Sequence, residues 1–515
     1  MTSGLSITSG LEYFGRVSAS APAWSDDSGT LSFGALDERT TRTAGALMEL
    51  GVRDGRHVVI LLENQLAYAE AIAAVAKAGA VIVPVNTHAT AAELGEVLER
   101  SKAAAVVTQR TYADVVSDAS ARWEPDHAFA VDAVDDLRSW DTLAETASSS
   151  STLPRLDEMS AFCVSFTGGT TGRAKGVVLS HRSRALTFHY MALDFGLGPG
   201  RRVINATPLS HGAGLAYGYG FMTAGAHVHT MRRWDPEYLL ALVRSHKPDQ
   251  MFLVPAQLAD LRALGTERMR DAGFHEMATA FSSAAPLPDE LKDWIVADFP
   301  EITFADVYGG TEAGVVSVIK TPELSRRERC AGPPWFMTEV RILDEDGADV
   351  EQGQSGNLYS RSPYVFNGYL DDPVRTREVM TADGFVTAGD VAVQDEDGFL
   401  YIVDRSKDLI ISGGVNIYPR EIEELLLRHP AVADVAVVGV SHARWGEEVV
   451  AIVAPSGVET VDDASLREFC RQSLSSVKVP KRFLVRPSIE RTDTGKLAKH
   501  ELRQWAAQQL PAHRE

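Results

Sequence analysis

Residues 165–176 contain the side-chain types needed to hold a phosphate group. Glycines and threonines fill the centre of this stretch, Lys175 stands near its end, and an apolar run at 161–164 precedes it. Glycine lets backbone N–H groups approach an anion closely, hydroxyl groups add donors, and lysine supplies a full positive charge. The common P-loop has glycine before its lysine and serine or threonine after it, whereas Ala174 and Gly176 flank Lys175. The stretch therefore predicts a phosphate-binding loop of another kind, with a flexible surface turn as the alternative.

In residues 306–314, small residues surround three side chains that could contact a nucleotide. Tyr308 can stack on a purine, Thr311 can donate a hydrogen bond to a phosphate, and the carboxylate of Glu312 can hold Mg²⁺. An ordinary turn is the alternative for this stretch taken alone.

Four further stretches of the sequence contain residues that could have a functional role. His211 lies in a glycine-containing turn at 207–214, and Asp390 follows a glycine and suits a ribose diol. The highly charged residues 404–408 are typical of a solvated linker between domains. Near the end, residues 490–497 form a polar turn that carries a lysine. Each of these features also has a purely structural interpretation.

Composition limits the classes of function. With 515 residues the chain is too long for one hydrophobic core, so two or more domains are expected. The formal net charge of −20 argues against a nucleic-acid partner and against binding to an anionic membrane surface. Any bound polyanion must therefore be held by a few local cations.

The cysteines and the apolar runs indicate the compartment. Cys163, Cys330 and Cys470 lie far apart and form no metal-ligand spacing, which suggests a reducing environment. The N-terminal residues lack a basic segment that leads into an apolar run, and no stretch approaches the ~18 apolar residues of a membrane span. We therefore expect an unprocessed cytoplasmic protein with no membrane span.

The elements that must position these side chains follow from periodicity. Helical and strand patterns alternate in the first part of the chain, which predicts a parallel sheet with helices on both faces. The predicted helices cover residues 34–50, 66–78, 91–101 and 182–193, and the predicted strands cover residues 57–62, 80–85 and 103–108. Beyond the charged linker, a helix at 419–428 and strands at 435–440 and 449–453 predict a compact α+β domain.

Taken together and in this order, the motifs resemble the adenylate-forming superfamily of acyl- and aryl-CoA synthetases, peptide-synthetase adenylation domains and beetle luciferases. The resemblance extends over about residues 33–502. It implies an α/β fold, in which a large N-terminal domain of helix-covered β-sheets (residues 1–405) is joined by a hinge to a smaller α+β domain (residues 406–515). The large domain would bind ATP and the acid, and the small domain would be mobile.

The resemblance also implies the phosphate and metal contacts. The residues expected at the β- and γ-phosphates are Thr167, Gly168, Gly169, Thr170, Thr171 and Lys175. Thr311 resembles the donor to the α-phosphate, and Glu312 resembles the carboxylate that binds Mg²⁺. Lys496 resembles the lysine that bridges the substrate carboxylate and the α-phosphate, and His211 matches a position that gates the channel or contacts that carboxylate.

The same resemblance implies the contacts to the nucleoside and to coenzyme A. The residues expected around adenine are Ser283, Ala284, Ala285, Pro286, Asp306, Tyr308 and Gly309. Asp390 and Arg405 look like the ribose contacts. Lys407 falls at the hinge position, and rotation there would replace Lys496 by Gly413 and Gly414 and open a channel for pantetheine.

A few positions depart from the usual family pattern. Glu490 stands where proline is common, Asn357 replaces a frequent glutamate, and Ser283 replaces a frequent glycine. None of these changes removes a charge that the chemistry requires.

The expected function is that of an AMP-forming carboxylate–CoA ligase. ATP and Mg²⁺ would activate a small carboxylic acid to an acyl-adenylate with release of pyrophosphate, and coenzyme A would then displace AMP. The alternative is the same adenylation with a different acceptor, such as a carrier-protein thiol, an amine or another small nucleophile. Small and apolar residues suggest a fatty or aromatic acid, although each of them also suits a core position: Gly309, Gly310, Tyr217, Tyr219, Phe221, Val315 and Val316. The sequence is compatible with a homodimer.

Overall fold

The computed structural model describes most of the chain. The described ranges are residues 5–146, 152–167, 174–405, 408–412, 415–442, 445–457, 461–491 and 497–510. Within these ranges the strands assemble into four sheets.

The N-terminal part contains a seven-stranded sheet in the order β7-β6-β5-β3-β4-β8-β9. Its neighbours run parallel except for the antiparallel pair of β8 and β9. Buried Val, Ile and Ala residues fill its central strands, as expected for a sheet that is covered on both faces. The strands are β3 (His57–Leu61), β4 (Val81–Pro84), β5 (Ala105–Thr108), β6 (His127–Ala130), β7 (Arg138–Ser139), β8 (Ala161–Thr167) and β9 (Lys175–Ser180).

An eight-stranded sheet lies beside it, in the order β15-β14-β13-β12-β10-β11-β1-β2. All its pairs are parallel except the two at the edges, β1 with β2 and β14 with β15. The strands are β1 (Pro22–Asp26), β2 (Gly29–Ser32), β10 (Arg202–Asn205), β11 (His227–Thr230), β12 (Gln250–Phe252), β13 (Thr279–Ser282), β14 (Thr303–Gly310) and β15 (Gly314–Lys320).

Two smaller sheets follow in the chain. One is antiparallel, in the order β16-β20-β19-β18-β17, and the other runs β22-β21-β24-β23 with β25 added parallel to β24. The strands of the first are β16 (Cys330–Gly332), β17 (Glu339–Leu343), β18 (Gly356–Arg361), β19 (Asp390–Gln394) and β20 (Leu400–Arg405). The strands of the second are β21 (Ile410–Ser412), β22 (Val415–Ile417), β23 (Val432–His442), β24 (Gly446–Pro455) and β25 (Arg482–Val485).

Helices cover the sheets. In the first half they are α1 (Ser9–Val17), α2 (Phe33–Glu49), α3 (Leu66–Lys77), α4 (Ala91–Ser101), α5 (Ala113–Ser120), α6 (Trp140–Thr146), α7 (His181–Phe195), α8 (Gly212–Gly214), α9 (Phe221–Thr223) and α10 (Pro236–His246). In the second half they are α11 (Pro255–Leu264), α12 (Thr266–Asp271), α13 (Asp289–Asp298), α14 (Glu323–Arg326), α15 (Pro373–Val379), α16 (Pro419–Leu426), α17 (Asp463–Ser473) and α18 (Lys499–Gln509). None of the helices in the described ranges is both long and apolar enough to cross a membrane.

Helix ends follow local chemistry. Thr90 caps α4 by accepting from the backbone N–H of Glu93, whose side chain reaches back to complete a capping box. Ser180 caps α7 through the N–H of Ser183, directly after β9. This cap lets the chain turn from strand into helix within one residue, so α7 begins directly at the end of β9.

The predicted fold class is confirmed: a large N-terminal α/β part precedes a smaller C-terminal α+β part. The predicted strands and helices are present, with small differences in their bounds. The strand predicted at 435–440 extends over Val432–His442, because its pairing with Gly446–Pro455 forms a long hairpin beyond the apolar centre. The helix predicted at 182–193 extends to Phe195 and ends at Gly196, which has φ +68°. The domain boundary at 405–406 stays a prediction.

Candidate active site

Three strands of the eight-stranded sheet end at the same edge and carry predicted site residues there. β14 ends in Tyr308, Gly309 and Gly310, the neighbouring β13 ends just before Ser283, and β10 leads to the turn that contains His211. Ligands of parallel α/β sheets bind outside the carboxyl ends of the strands. The sheet order therefore brings together side chains that are about a hundred residues apart in the sequence.

Tyr308 and Asp390 are joined by a hydrogen bond. The tyrosine hydroxyl donates to Oδ2 of Asp390 at 2.6 Å, which links β14 to the start of β19 in the antiparallel sheet. Asp390 is buried, with 6% of its surface exposed, and Tyr308 is half-buried. The ring that is expected to stack on adenine and the carboxylate that is expected to bind ribose are therefore hydrogen-bonded to each other.

Asp306 lies two residues before Tyr308 on β14 and is opposite Ser282 of β13. Burial raises the pKa of the Asp306 carboxyl from 3.8 to about 7, and the charges of Arg420 and Lys292 oppose this increase. The side chain nevertheless keeps partial exposure at the strand end. A carboxyl group that titrates near neutral pH in a cleft is a functional-site candidate.

The turn after β13 is held in an unusual backbone conformation. The Ser283 hydroxyl donates to the carbonyl of Val307 at 2.6 Å, so the turn is fixed to β14. Ala284 has φ +73°, in the left-handed region that non-glycine residues seldom adopt. Strain of this kind persists where the surroundings over-determine it, often at ligand sites.

Lys175 and Glu312 meet through a tyrosine. The ammonium group of Lys175 lies over the ring of Tyr369, 5.1 Å from the centroid, and the hydroxyl of Tyr369 donates to Oε1 of Glu312 at 2.9 Å. The lysine that follows the phosphate-binding loop and the candidate metal carboxylate thus share one neighbour.

Backbone pairing explains why these two residues converge. The N–H of Leu370 donates to the carbonyl of Gly176 at 2.8 Å, and Val178 exchanges hydrogen bonds with Gly368 and Asn367 at 3.0 and 2.8 Å. The N–H of Phe366 donates to the carbonyl of Glu312 at 2.8 Å. Residues 364–370, which we call the tether, therefore bind β9 on one side and the β14–β15 turn on the other.

Charges of both signs surround Lys175. Burial and the neighbouring guanidinium of Arg375 lower the pKa of Lys175, whereas the carboxylates of Glu312, Glu378 and Asp372 oppose this decrease. Two cations so close together repel each other, and an anion between them would relieve that repulsion. This electrostatic arrangement suits a phosphate chain.

His211 is positioned by a buried asparagine. The amide nitrogen of Asn64 donates to the carbonyl of Thr207 at 2.9 Å, and its oxygen accepts from the N–H of Leu209 at 2.8 Å. His211 itself accepts from the N–H of Ala213 through Nδ1 at 3.4 Å. Asn64, at the carboxyl end of β3, therefore fixes the turn from the neighbouring sheet.

The aromatic residues after this turn belong to one hydrophobic core, in which Tyr217 keeps 4% exposure. Residues Leu215–Gly220 form a π-helix, a rare element that is frequent at functional sites. Tyr217 stacks on Phe252, with ring centroids 4.1 Å apart and planes inclined by 5°. Tyr219 and Phe221 are completely buried in the hydrophobic core. The core interpretation therefore applies to Tyr217, Tyr219 and Phe221.

The backbone places the other predicted site residues at the ends of strands and in turns. Thr167 ends β8, and Thr311 follows Gly310 in the β14–β15 turn. A Cβ on Gly309 would lie 2.2 Å from the carbonyl oxygen of Gly314, so only glycine allows the two strands to approach so closely here. Ala285 and Pro286 continue the turn after Ala284.

Several predictions fall outside the described residues. They concern Gly168, Gly169, Thr170, Thr171, Lys407, Gly413, Gly414 and Lys496. The backbone of Arg405 pairs with that of Asp390 across β19 and β20, and its side chain is not among those described.

Sequence reasoning missed Tyr369, Arg375 and Asn64. The tether that contains Tyr369 ends in an Asp-Asp-Pro turn, and Arg375 lies in the helix that begins at Pro373. Those signals predict a helix start but not its place beside Lys175. No local pattern distinguishes Asn64 from an ordinary loop asparagine.

The C-terminal part contacts the large part next to this site. Arg329 pairs with Glu424 of α16 at 2.7 Å, and the N–H of Arg420 donates to Asp404 at 3.0 Å. Through its charge, Arg420 also acts on Asp306. The candidate site therefore lies close to the boundary between the two parts.

Comparison with known proteins agrees with this geometry. The family described as AMP-binding enzyme matches residues 11–370, and its C-terminal domain matches residues 421–496. A feruloyl-CoA synthase from Amycolatopsis sp is 33% identical over 492 residues, which cover 95% of this chain and 96% of the relative. A 2-succinylbenzoate–CoA ligase from Bacillus licheniformis is 32% identical over 476 residues, covering 92% and 94%. The ATP-bound crystal structure of MatB from Rhodopseudomonas palustris superposes with a TM-score of 0.88 at 27% identity, covering 98% and 99%.

Proposed function

The chain belongs to the AMP-binding enzyme family, and from this premise we propose which acid it activates and which residues perform each step. The enzyme is an AMP-forming carboxylate–CoA ligase that uses ATP, Mg²⁺ and coenzyme A. The convergence of Lys175, Tyr369 and Glu312 near the end of β14, which carries Tyr308, is the observation that supports the residue roles.

The reaction has two steps. An oxygen of the acid attacks the α-phosphorus of ATP, the bond from that phosphorus to the bridging oxygen breaks, and pyrophosphate leaves. The sulfur of coenzyme A then attacks the acyl carbon, the bond to the AMP oxygen breaks, and AMP leaves while the thiol proton goes to solvent. The first step brings two anions together, so positioning and charge neutralisation provide most of the catalysis.

Lys175 and Arg375 are the residues we assign to the leaving pyrophosphate. The closeness of these two cations supports this role, as does the position of Lys175 at the start of β9. Thr311 would donate to the α-phosphate from the end of the same turn as Glu312. Lys496 would bridge the attacking carboxylate and the α-phosphate, as the family resemblance implies.

Glu312 is the residue that fits Mg²⁺. Among the described residues its carboxylate accepts one hydrogen bond, from Tyr369, and a carboxylate offers about four lone-pair sites, which leaves room for a hard cation. When bound, Mg²⁺ would neutralise charge on the phosphate oxygens. Tyr369 would orient the Glu312 carboxylate toward that position.

The nucleoside would bind between the turn at Ser283 and the ring of Tyr308. Asp390 would accept from the ribose hydroxyls, and Asp306 from the amino group of adenine in its ionised form. The left-handed backbone of Ala284 supports this placement, because it bends the turn away from the strand end where the base would lie.

For the acid we propose an aromatic carboxylate. Val315 and Val316 begin β15 directly behind the glycine-rich turn, and Tyr217 presents a flat ring system with Phe252 and Phe281. The feruloyl-CoA synthase and 2-succinylbenzoate–CoA ligase names among the relatives both denote aromatic acids.

We further propose that residues 406–515 form the mobile domain, with Lys407 as the hinge. Rotation would carry Lys496 away and bring Gly413 and Gly414 to the acid for the thioester step. Changing Lys407 to proline should then slow thioester formation far more than adenylation, and Lys496→Ala should do the reverse.

The test of the function measures both half-reactions. Exchange of radiolabelled pyrophosphate into ATP is followed for a panel of fatty, benzoic and cinnamic acids without coenzyme A, and the thioester is then quantified by chromatography after coenzyme A is added. Acid-dependent exchange with subsequent AMP and thioester formation supports the proposal. Exchange without thioester formation would instead favour another acceptor, such as an amine or a carrier-protein thiol.

We propose a cytoplasmic location. The three cysteines are all free and buried, which suits a reducing compartment, and coenzyme A and ATP are both available there. Equilibrium sedimentation would decide between a monomer and a homodimer.

A further inference from the structure

A half-buried arginine lies directly behind the candidate magnesium turn. Arg184 belongs to α7, and its Nη2 donates to the carbonyl oxygen of Tyr364 in the tether. The same oxygen lies 3.0 Å from the position that a Cβ on Gly314 would take. Because Gly314 follows Glu312 by two residues, the tether carbonyl that the guanidinium holds lies beside the turn.

The polar groups at this position lack acceptors. Nε of Arg184 is buried and makes no hydrogen bond within the described ranges, and the same holds for the hydroxyl of Tyr364, a residue with 0% exposure. The hydroxyl of Tyr68, a residue on which Cys163 also acts electrostatically, is another buried group without a partner in the described ranges. Nε of Arg184 and the Tyr364 hydroxyl are thus two buried donors without an acceptor among the described residues.

No carboxylate balances the charge of Arg184 in the described part of the chain. Burial lowers the pKa of Arg184 to about 10, and the Cys163 thiol is the one neighbour that opposes this decrease. Burial also raises the pKa of that thiol to about 12, so the thiol is neutral at physiological pH. By contrast, Arg182, two residues earlier on the same helix, pairs with Glu158 at 2.8 Å.

A structural role alone does not account for Arg184. Holding the carbonyl of Tyr364 requires one donor, which a neutral side chain could provide without the desolvation of a full charge. An arginine that is buried without its counter-ion is strongly destabilising unless an anion completes the site. The guanidinium fork matches a carboxylate in geometry as well as in charge.

The surroundings show which part of a substrate would reach Arg184. The ring of Tyr364 packs against Trp335 and Tyr190, with centroids 5.0 and 6.1 Å apart. The N–H of Trp335 donates to the carbonyl of Val316 at 2.8 Å, at the start of β15 where we placed the acid. Arg184 is therefore connected, through Tyr364 and Trp335, to the start of β15 where we placed the acid.

We propose that Arg184 binds a second carboxylate of the substrate, so that the enzyme prefers dicarboxylic acids and adenylates the carboxylate that is remote from Arg184. This inference rests on the proposed function and specifies its substrate class. A neutral hydroxyl at the far end would pair the donors but leave the charge of Arg184 uncompensated, which is why we choose an anion. Sites built to bind a polar substrate group reject analogues that lack it.

The test uses matched acid pairs that differ by one carboxylate: adipate with hexanoate, glutarate with pentanoate, and terephthalate with 4-methylbenzoate. Pyrophosphate exchange gives kcat/KM for each acid with the wild type, Arg184→Met, Arg184→Lys and the neighbouring control Arg182→Met. In at least one pair we expect the wild type and Arg182→Met to favour the diacid about 100-fold or more. Arg184→Met should lower this ratio at least about tenfold, and Arg184→Lys should restore part of it.

Thermal denaturation without ATP provides a second readout that does not depend on catalysis. We expect at least one diacid to raise the melting temperature of the wild type more than its monoacid partner, and Arg184→Met to remove the difference. If no acid supports exchange, the proposed function fails, and the melting temperatures still decide whether Arg184 binds a carboxylate. A wild type that favours the monoacid of every pair, or a diacid preference that survives Arg184→Met, would overturn the inference.

Discussion

The hydroxyl of Tyr308 donates to Oδ2 of Asp390 at 2.6 Å, across 82 residues of sequence. Tyr308 ends a strand of the eight-stranded sheet and Asp390 begins a strand of the antiparallel sheet, so a single hydrogen bond joins the two sheets inside the candidate nucleotide site. The position of the purine-stacking ring and that of the ribose-binding carboxylate are therefore linked.

We expect Tyr308→Phe to weaken ATP binding and to leave the acid site intact. The ring would keep its stacking surface, but Asp390 would lose its donor, and the KM for ATP should rise about tenfold, equivalent to ~1.4 kcal/mol. Steady-state kinetics with ATP and acid varied separately would measure this. Tyr401→Phe is the control, because Tyr401 donates to Asp395 at 3.0 Å away from the site. Equal effects of the two variants would contradict the role of Tyr308.

Replacing Glu312 by glutamine should change the magnesium requirement. Loss of the carboxylate charge removes the hard anionic ligand, so the Mg²⁺ concentration for half-maximal pyrophosphate exchange should rise at least about tenfold. Titration with Mg²⁺ at saturating ATP and acid measures the change. Glu339→Gln, in an exposed pair with Arg361, should leave the titration unchanged. An unchanged titration in Glu312→Gln would remove the residue from the metal site.

Asp306 should give the stability a specific pH dependence. Because its pKa rises from 3.8 to about 7 on folding, the folded protein retains a proton that the unfolded chain releases above about pH 4. This group therefore makes the protein less stable as the pH rises from about 4 to 7. Asp306→Asn should remove this contribution. The melting temperature of the variant, relative to that of the wild type, should therefore increase from pH 5 to pH 8. The control Asp346→Asn changes an exposed turn, and its melting temperature should depend on pH in the same way as that of the wild type.

Asn64→Ala should lower kcat rather than stability alone. The change removes the hydrogen bonds that hold Thr207 and Leu209, and the His211 turn would lose its fixed position. Small displacements of a positioning element reduce catalysis strongly, so we expect a fall of about 10- to 100-fold in adenylation. Gln394→Ala, which removes a comparable amide bond to the carbonyl of Gly398, is the control. Retention of full kcat in Asn64→Ala would show that the turn holds itself in place.

Gly314→Ala tests the contact between the magnesium turn and the tether. Gly314 has φ +71°, and a Cβ there would lie 2.6 Å from Cβ of Tyr364. Gly347 has φ +81° with no atom within 4 Å of its Cβ position, so Gly347→Ala shares the backbone cost without the clash. Denaturant unfolding should find Gly314→Ala less stable than Gly347→Ala by about 2 kcal/mol. Equal stabilities would mean that the tether can move away.

Local signals predicted much of the fold. The helix expected at 91–101 begins and ends at Ala91 and Ser101, because a capping threonine and an amphipathic pattern mark both its ends. The strand expected at 57–62 is His57–Leu61, because its apolar run suits a buried parallel strand. The order of the glycine-rich motifs predicted the family.

The contacts that assemble the site were not predictable from such signals. The partners of Tyr369, Asn64 and Arg184 lie 57, 145 and 180 residues away. Periodicity describes which face of one element is apolar, whereas these contacts depend on which strand or loop lies opposite. The same limit applies to Tyr219 and Phe221, since a buried aromatic residue and a pocket wall have the same local pattern.

The charge of Arg420 moderates the proton affinity of Asp306, although Arg420 lies in the C-terminal part of the chain. If the C-terminal part swings away, Asp306 loses this cation, takes up a proton more readily and becomes a poorer acceptor for the amino group of the base. The strength of the adenine contact would then change with the position of the C-terminal part, so nucleotide binding and domain rotation would be thermodynamically linked.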